Sequence, residues 1–102
     1  MFIKYDEYEL LELFESEPTV ISEGMFIYTK RNSKGLKVVL SLSVYENECD
    51  ISLCLDDDVI FESSLKDVEY LYSESNSLRL HQTGKDKDYI IHFKDSFLVK
   101  IE

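Results

Sequence analysis

Tryptophan is absent from this chain, proline occurs once and glycine three times. So few breakers leave no material for long irregular loops, and the connections between elements are expected to be short. Two cysteines among 102 residues exclude a disulfide-stapled scaffold. Only two histidines occur, and no third ligand accompanies them, so the sequence offers no metal-ligand spacing. No Gly-rich phosphate loop, nucleophile elbow or paired-His helix is present. No apolar run is long enough to span a bilayer. The start, Met1-Phe2-Ile3-Lys4-Tyr5-Asp6-Glu7, lacks the apolar core of a secretion signal.

Carboxylates are plentiful. Against 11 Lys and Arg stand 21 Asp and Glu, for a net charge of −10. Such a charge repels phosphate backbones and anionic lipid, which argues against nucleic acid and membrane as partners. It keeps a small protein soluble, and it would steer a basic protein partner toward this one. The acids fall mainly in residues 1–24 and 49–76, while 25–48 and 77–102 are weakly basic. Folding can therefore gather them into a patch.

With 44% hydrophobic residues the chain is long enough for one packed domain spanning 1–102. Asp6 followed by Glu9 has the form of a capping box, and Leu10, Leu11, Leu13 and Phe14 follow at helical spacing. Pro18 ends that helix at or before Glu17. Glu15 and Glu17 carry the wrong sign for a helix C-terminus.

From Met25 the period changes to two. Leu36, Val38, Leu40, Leu42 and Val44 alternate with Lys37, Val39, Ser41, Ser43 and Tyr45. Further strands are expected at Met25–Thr29, Cys49–Leu55, Val59–Ser63, Val68–Tyr72, Leu78–Gln82, Tyr89–Phe93 and Phe97–Ile101. The connectors are short and polar, among them Asn32-Ser33-Lys34-Gly35, Asp56-Asp57-Asp58, Ser75-Asn76-Ser77 and Lys94-Asp95-Ser96. They allow antiparallel pairing only. The expected fold is α+β, mainly β: one N-terminal helix, then about eight short antiparallel strands in a meander. Such a sheet curls or forms two layers. Cys49 and Cys54 lie five apart on one strand, roughly 16 Å of extended chain, too far to pair. Reduced thiols point to the cytoplasm.

The candidate sites follow from charge and aromatics. Glu7, Glu9, Glu12 and Glu15 fall on or near the wet side of the helix, and Asp56, Asp57 and Asp58 form an acidic turn. Tyr28 and Tyr45 are expected to point outward, as residues suited to anchoring a partner. Tyr70, Tyr72, Phe93 and Phe97 are expected in the core. His81 and His92 fall on neighbouring strands, close to one another and facing solvent. The DDD turn fails as a calcium loop, because Phe61 and Asp67 occupy the places of the required Gly and Glu. No catalytic residue and no cofactor is expected.

The order of elements, with the segments Met25-Phe26-Ile27-Tyr28, Val44-Tyr45-Glu46, Ile51-Ser52-Leu53, Ile91-His92-Phe93-Lys94 and Val99-Lys100-Ile101-Glu102, resembles the small strand-rich immunity proteins of bacterial polymorphic or contact-dependent toxin systems. That resemblance implies a cytoplasmic, non-catalytic inhibitor that occludes a toxin. A small-ligand-binding β-barrel-like protein and a structural subunit of a larger complex are the alternatives. Partner identity and oligomeric state are left open.

Overall fold

The computed structural model describes residues 2–93 and 96–102. Within them the chain forms one helix and nine strands. The helix α1 spans Glu7–Phe14, and the strands are β1 Thr19–Ser22, β2 Met25–Arg31, β3 Leu36–Ser43, β4 Glu48–Leu55 and β5 Asp58–Leu65. After these come β6 Val68–Glu74, β7 Ser77–Gln82, β8 Tyr89–His92 and β9 Leu98–Ile101. No helix among the described residues is long and apolar enough to cross a membrane.

The strands form two open antiparallel meanders, β1-β2-β3-β4-β5 and β6-β7-β8-β9. The α+β, mainly β class and the two-layered arrangement expected from sequence are both observed. The count differs by one. β1 follows Pro18 and shows no alternation, and all four of its residues are exposed, so nothing in its pattern announces a strand. The sheets are open and do not close into a barrel, and buried side chains fill the space between them.

Pairing explains that filling. Across the first sheet Tyr28 opposes Leu40, and Leu40 opposes Ile51. Leu42 opposes Cys49, which in turn opposes Leu65. These side chains meet Val68, Leu71, Leu78, Leu80 and Ile91 of the second sheet in one buried cluster. The helix adds Leu10, Leu13 and Phe14 to the same core. Phe14 joins the layers: its ring lies 5.3 Å from that of Tyr28 and 5.0 Å, edge-on, from that of Phe93.

The N-terminal segment ties the layers together. Ile3 N donates to Val44 O at the end of the first sheet's β3, while Lys4 N donates to Glu69 O and Lys4 O accepts from Leu71 N on β6. Lys4 thereby pairs in parallel with Tyr70, covering the free edge of β6.

Several expectations need correction. Tyr28 is buried, 3% exposed, instead of pointing outward. Both parities of β2 carry apolar residues, and pairing selects Phe26, Tyr28 and Lys30 as the inner one. Tyr70 and Tyr72 are half-buried on the outer face and not in the core. The register shift between Val68 and Tyr70 turns Val68 and Leu71 inward together and Tyr70 outward. Phe93 and Phe97 are buried as expected. His81 and His92 lie at opposite ends of the β7–β8 ladder, since His92 pairs with Ser77 and His81 lies beyond Leu80, which pairs with Tyr89. Each is half-buried and hydrogen-bonded instead of facing open solvent. The connector expected at Lys94-Asp95-Ser96 lies, for Lys94 and Asp95, outside the described residues.

Candidate functional site

Three of the nominated glutamates converge on one cleft. Asp6 caps α1 by accepting from Tyr8 N at 2.8 Å. Glu9 does not complete the capping box. Its Oε1 accepts instead from Ser73 N on β6 at 3.0 Å, linking helix to second sheet. Glu12 lies one turn further along, and Glu15 takes the left-handed C-cap position at φ 57°. With Leu10, Leu13 and Phe14 turned into the core, Glu9, Glu12 and Glu15 line a cleft of about 550 Å³. Its other walls are Leu13, Lys30, Ser73, the Ser75–Asn76 turn and Phe93.

Among the described residues, one cation enters this space, that of Lys30. Lys30 Nζ lies 2.6 Å from the Glu15 carboxylate and donates to Leu13 O at 2.9 Å. It also sits 5.7 Å from the centre of the Phe93 ring. The hydrogen bond from Lys30, and then its charge, hold Glu15 below the ordinary carboxylate range. The ammonium is thus already engaged, and Glu9 and Glu12 remain without a cationic partner among the described residues. Chemically, the cleft suits an incoming Lys or Arg side chain, which meets there the carboxylates of Glu9 and Glu12 and an aromatic floor.

The other nominated residues fall elsewhere. Glu7 is exposed in the first turn of α1. Tyr28 lies beneath the helix, and burial, followed by the nearby Tyr5, Glu7 and Glu17, pushes its hydroxyl up to about 12. Tyr45 is 49% exposed, stacks at a tilt on Phe2 at 4.7 Å and covers Gly24. Asp56 and Asp57 form a tight hairpin turn with φ 50° and 72°, and Leu55 pairs with Asp58 across it. Asp57 lies 3.7 Å from Arg31, both side chains well exposed. The helix and this turn are separate elements. α1 packs on β2 and β6, whereas the turn rests on Gly35, whose carbonyl accepts from Asp56 N.

A second polar group lies on the outer face of the smaller sheet, which sequence reasoning did not find. His81 Nδ1 is 2.7 Å from Asp88 Oδ1, and Arg79 Nη1 donates to Asp88 Oδ2 at 3.1 Å. Tyr70 stacks on His81 at 4.8 Å and 17°, with Tyr72 beside it. Burial raises the Asp88 pKa, but the hydrogen bonds from His81 and Arg79 outweigh it, and the net shift is downward. Half of this group was available from the Ser75–Asn76 turn. A two-residue turn there fixes Tyr72 opposite Arg79 and Tyr70 opposite His81. Asp88 belongs to no strand, so no periodicity marks it.

Ser77 Oγ and His92 Nδ1 share a hydrogen bond of 2.7 Å, but Ser77 is only 8% exposed, which suits strand pairing better than substrate access. Cys49 is 1% exposed, and burial, with a smaller contribution from Asp50, pushes its thiol up to about 12.

The architecture is a mainly β protein of two open antiparallel sheets clamped by one short helix. No protein-family model matches the chain, and no curated protein matches it. Among solved structures it is similar to a chain of the contact-dependent growth inhibition toxin–immunity protein complex from Klebsiella pneumoniae 342. The match has a TM-score of 0.87 and 28% identity, and covers 100% of this chain and 98% of that one. The resemblance drawn from sequence is borne out at that level.

Proposed function

We propose that this chain is the immunity component of a contact-dependent growth inhibition pair, a non-enzymatic protein that binds its toxin in the cytoplasm and occludes the toxin's working surface. The end-to-end structural similarity to a chain of such a complex carries this reading. Of the two components, the net charge of −10 favours the inhibitor, because it complements a basic toxin. The cleft between α1 and the second sheet is the leading contact. Glu9 and Glu12 receive basic side chains of the toxin there, with Phe93 as an apolar floor. Exposed Tyr45, Glu7 and the Asp56–Asp58 turn lie outside this cleft and are further acidic or aromatic surface that a partner can use.

The test uses the toxin domain encoded beside this chain. Cells producing that domain should grow when the chain is co-produced and stop growing without it. Glu9→Gln keeps an acceptor for Ser73 N while removing charge, so Glu9→Gln with Glu12→Gln probes electrostatics without breaking the helix contact. Binding by the double variant should weaken by about tenfold and lose much of its salt dependence. Unchanged affinity across salt concentrations would remove the cleft from the interface. Absence of binding by the unaltered chain would remove the immunity reading itself.

A further inference from the structure

Among the described residues the two sheets have four edges, and three are short or covered. β1 and β9 are four residues long, and the free edge of β6 carries the Lys4 bridge. Natural sheets guard their edges by shortening or covering them, by bulges, or by placing charges, Lys above all, or Pro on them. β5 is neither short nor covered, and its guards are one bulge at Ile60 and the acids Asp58 and Glu62. It is eight residues long, contains no Lys or Pro, and among the described residues only β4 pairs with it.

Its first five residues, Asp58–Glu62, are all exposed, and three of them are apolar: Val59 at 57%, Ile60 at 56% and Phe61 at 36%. The register explains why all three are exposed. Leu53 pairs with Phe61 and Cys54 with Val59, leaving Ile60 as an extra residue. Val59 therefore lies on the outer face beside Cys54, Phe61 on the inner face beyond the reach of the second sheet, and Ile60 at the bulge. Burial begins only at Ser63, where Oγ donates to Tyr89 Oη at 3.2 Å, and at Leu65.

We infer that β5 is the docking edge for a β-strand of the toxin, which extends the five-stranded sheet by one antiparallel or parallel strand of apolar character with basic flanks. The inference rests on the immunity reading. Charge selects this occupant over a second copy of the chain. Asp56, Asp57, Asp58 and Glu62 frame the apolar triplet. An antiparallel copy centred on Ile60 would set Asp58 against Glu62 twice, and like charges directly opposed destabilise a strand pair. A toxin strand carrying Lys or Arg beside its apolar residues meets the same frame as attraction.

The experiment is amide hydrogen exchange on the unaltered chain, alone and with the toxin domain encoded beside it, together with affinity of Ile60→Lys. On complex formation the amides of residues 58–62 should slow markedly. Ile60→Lys, which sets an edge-blocking cation at an exposed site, should lose at least about tenfold in affinity while keeping its far-ultraviolet spectrum. If the toxin binds but those amides exchange unchanged and Ile60→Lys binds as the parent does, the docking edge is overturned and the immunity reading stands. If the toxin neither binds nor is neutralised, the immunity reading fails and the docking edge falls with it. If the amides slow with rising concentration of this chain alone, the edge pairs with itself, and the toxin strand is overturned.

Discussion

Lys30 Nζ sits 2.6 Å from the Glu15 carboxylate and 2.9 Å from Leu13 O, so a residue of β2 supplies the cation that the last turn of α1 lacks. The wrong-signed end of the helix is thereby corrected from another element. Lys30→Met should lower stability by about 1–2 kcal/mol, through loss of a charge-assisted bond to a part-buried carbonyl. Lys30→Arg should recover most of that. Denaturant titration of both variants measures the difference. The pH dependence has a definite sign: Glu15 titrates lower folded than unfolded, so its contribution is complete above its ordinary value of 4.5 and disappears as pH falls through the depressed folded value.

Asp88 accepts from both His81 and Arg79 with its side chain only 14% exposed, and it holds the loop before β8 onto the outer face of the second sheet. Asp88→Asn retains the backbone bonds with Glu102 but loses the charge in both pairs. The expected loss is about 1–3 kcal/mol at pH 7. Because the folded Asp88 pKa lies below its ordinary 3.8, parent and variant should converge as pH drops through that depressed value, and remain apart above it. Stability curves against pH decide this, and a gap that widens in acid would refute the assignment.

The division of the chain into two sheets was the part least visible in sequence. Lys66-Asp67 between β5 and β6 looks like a hairpin turn, since only two polar residues separate the two strands. Yet β5 and β6 do not pair. Asp67 takes φ 57°, and Val68 N turns to donate to Asn47 O while Asn47 Nδ2 donates back to Val68 O. The β3–β4 turn thus captures the start of β6 through a contact 21 residues away, which no local pattern encodes. Local chemistry, by contrast, was legible. Asp6 caps the helix, and Asn32 accepts from both Lys34 N and Leu36 N ahead of Gly35 at φ 86°. Glutamates at 9, 12 and 15 were nominated for their charge, but their sharing of one cleft depends on Ser73, Lys30 and Phe93, all placed by long-range pairing.

Cys49 lies in the core with its thiol held near 12, so its reaction with an alkylating reagent at pH 8 should require global unfolding. In a Cys54→Ala background, the labelling rate of Cys49 in increasing denaturant should follow the unfolded fraction. Labelling in native buffer faster than the unfolded population allows would show that the first sheet opens locally around β4.

Phe14 connects stability to the candidate site. Its ring contacts Tyr28 below and Phe93 at the floor of the cleft, and Phe93 in turn packs edge-on against Phe97 at 5.9 Å. Removing the ring leaves a void where helix and both sheets meet, so Phe14→Ala should cost about 3–5 kcal/mol. Phe14→Leu keeps most of the volume and should cost about 1–1.5 kcal/mol. The helix would then settle differently over Phe93, and Glu9 would lose alignment with Ser73 N. If the cleft binds the toxin, Phe14→Leu should therefore weaken binding even at temperatures where the variant is fully folded. Slower exchange of Ser73 N in the parent than in Phe14→Leu would trace that loss to the helix contact. Equal exchange at Ser73 with reduced affinity would place the cause in the Phe93 floor instead.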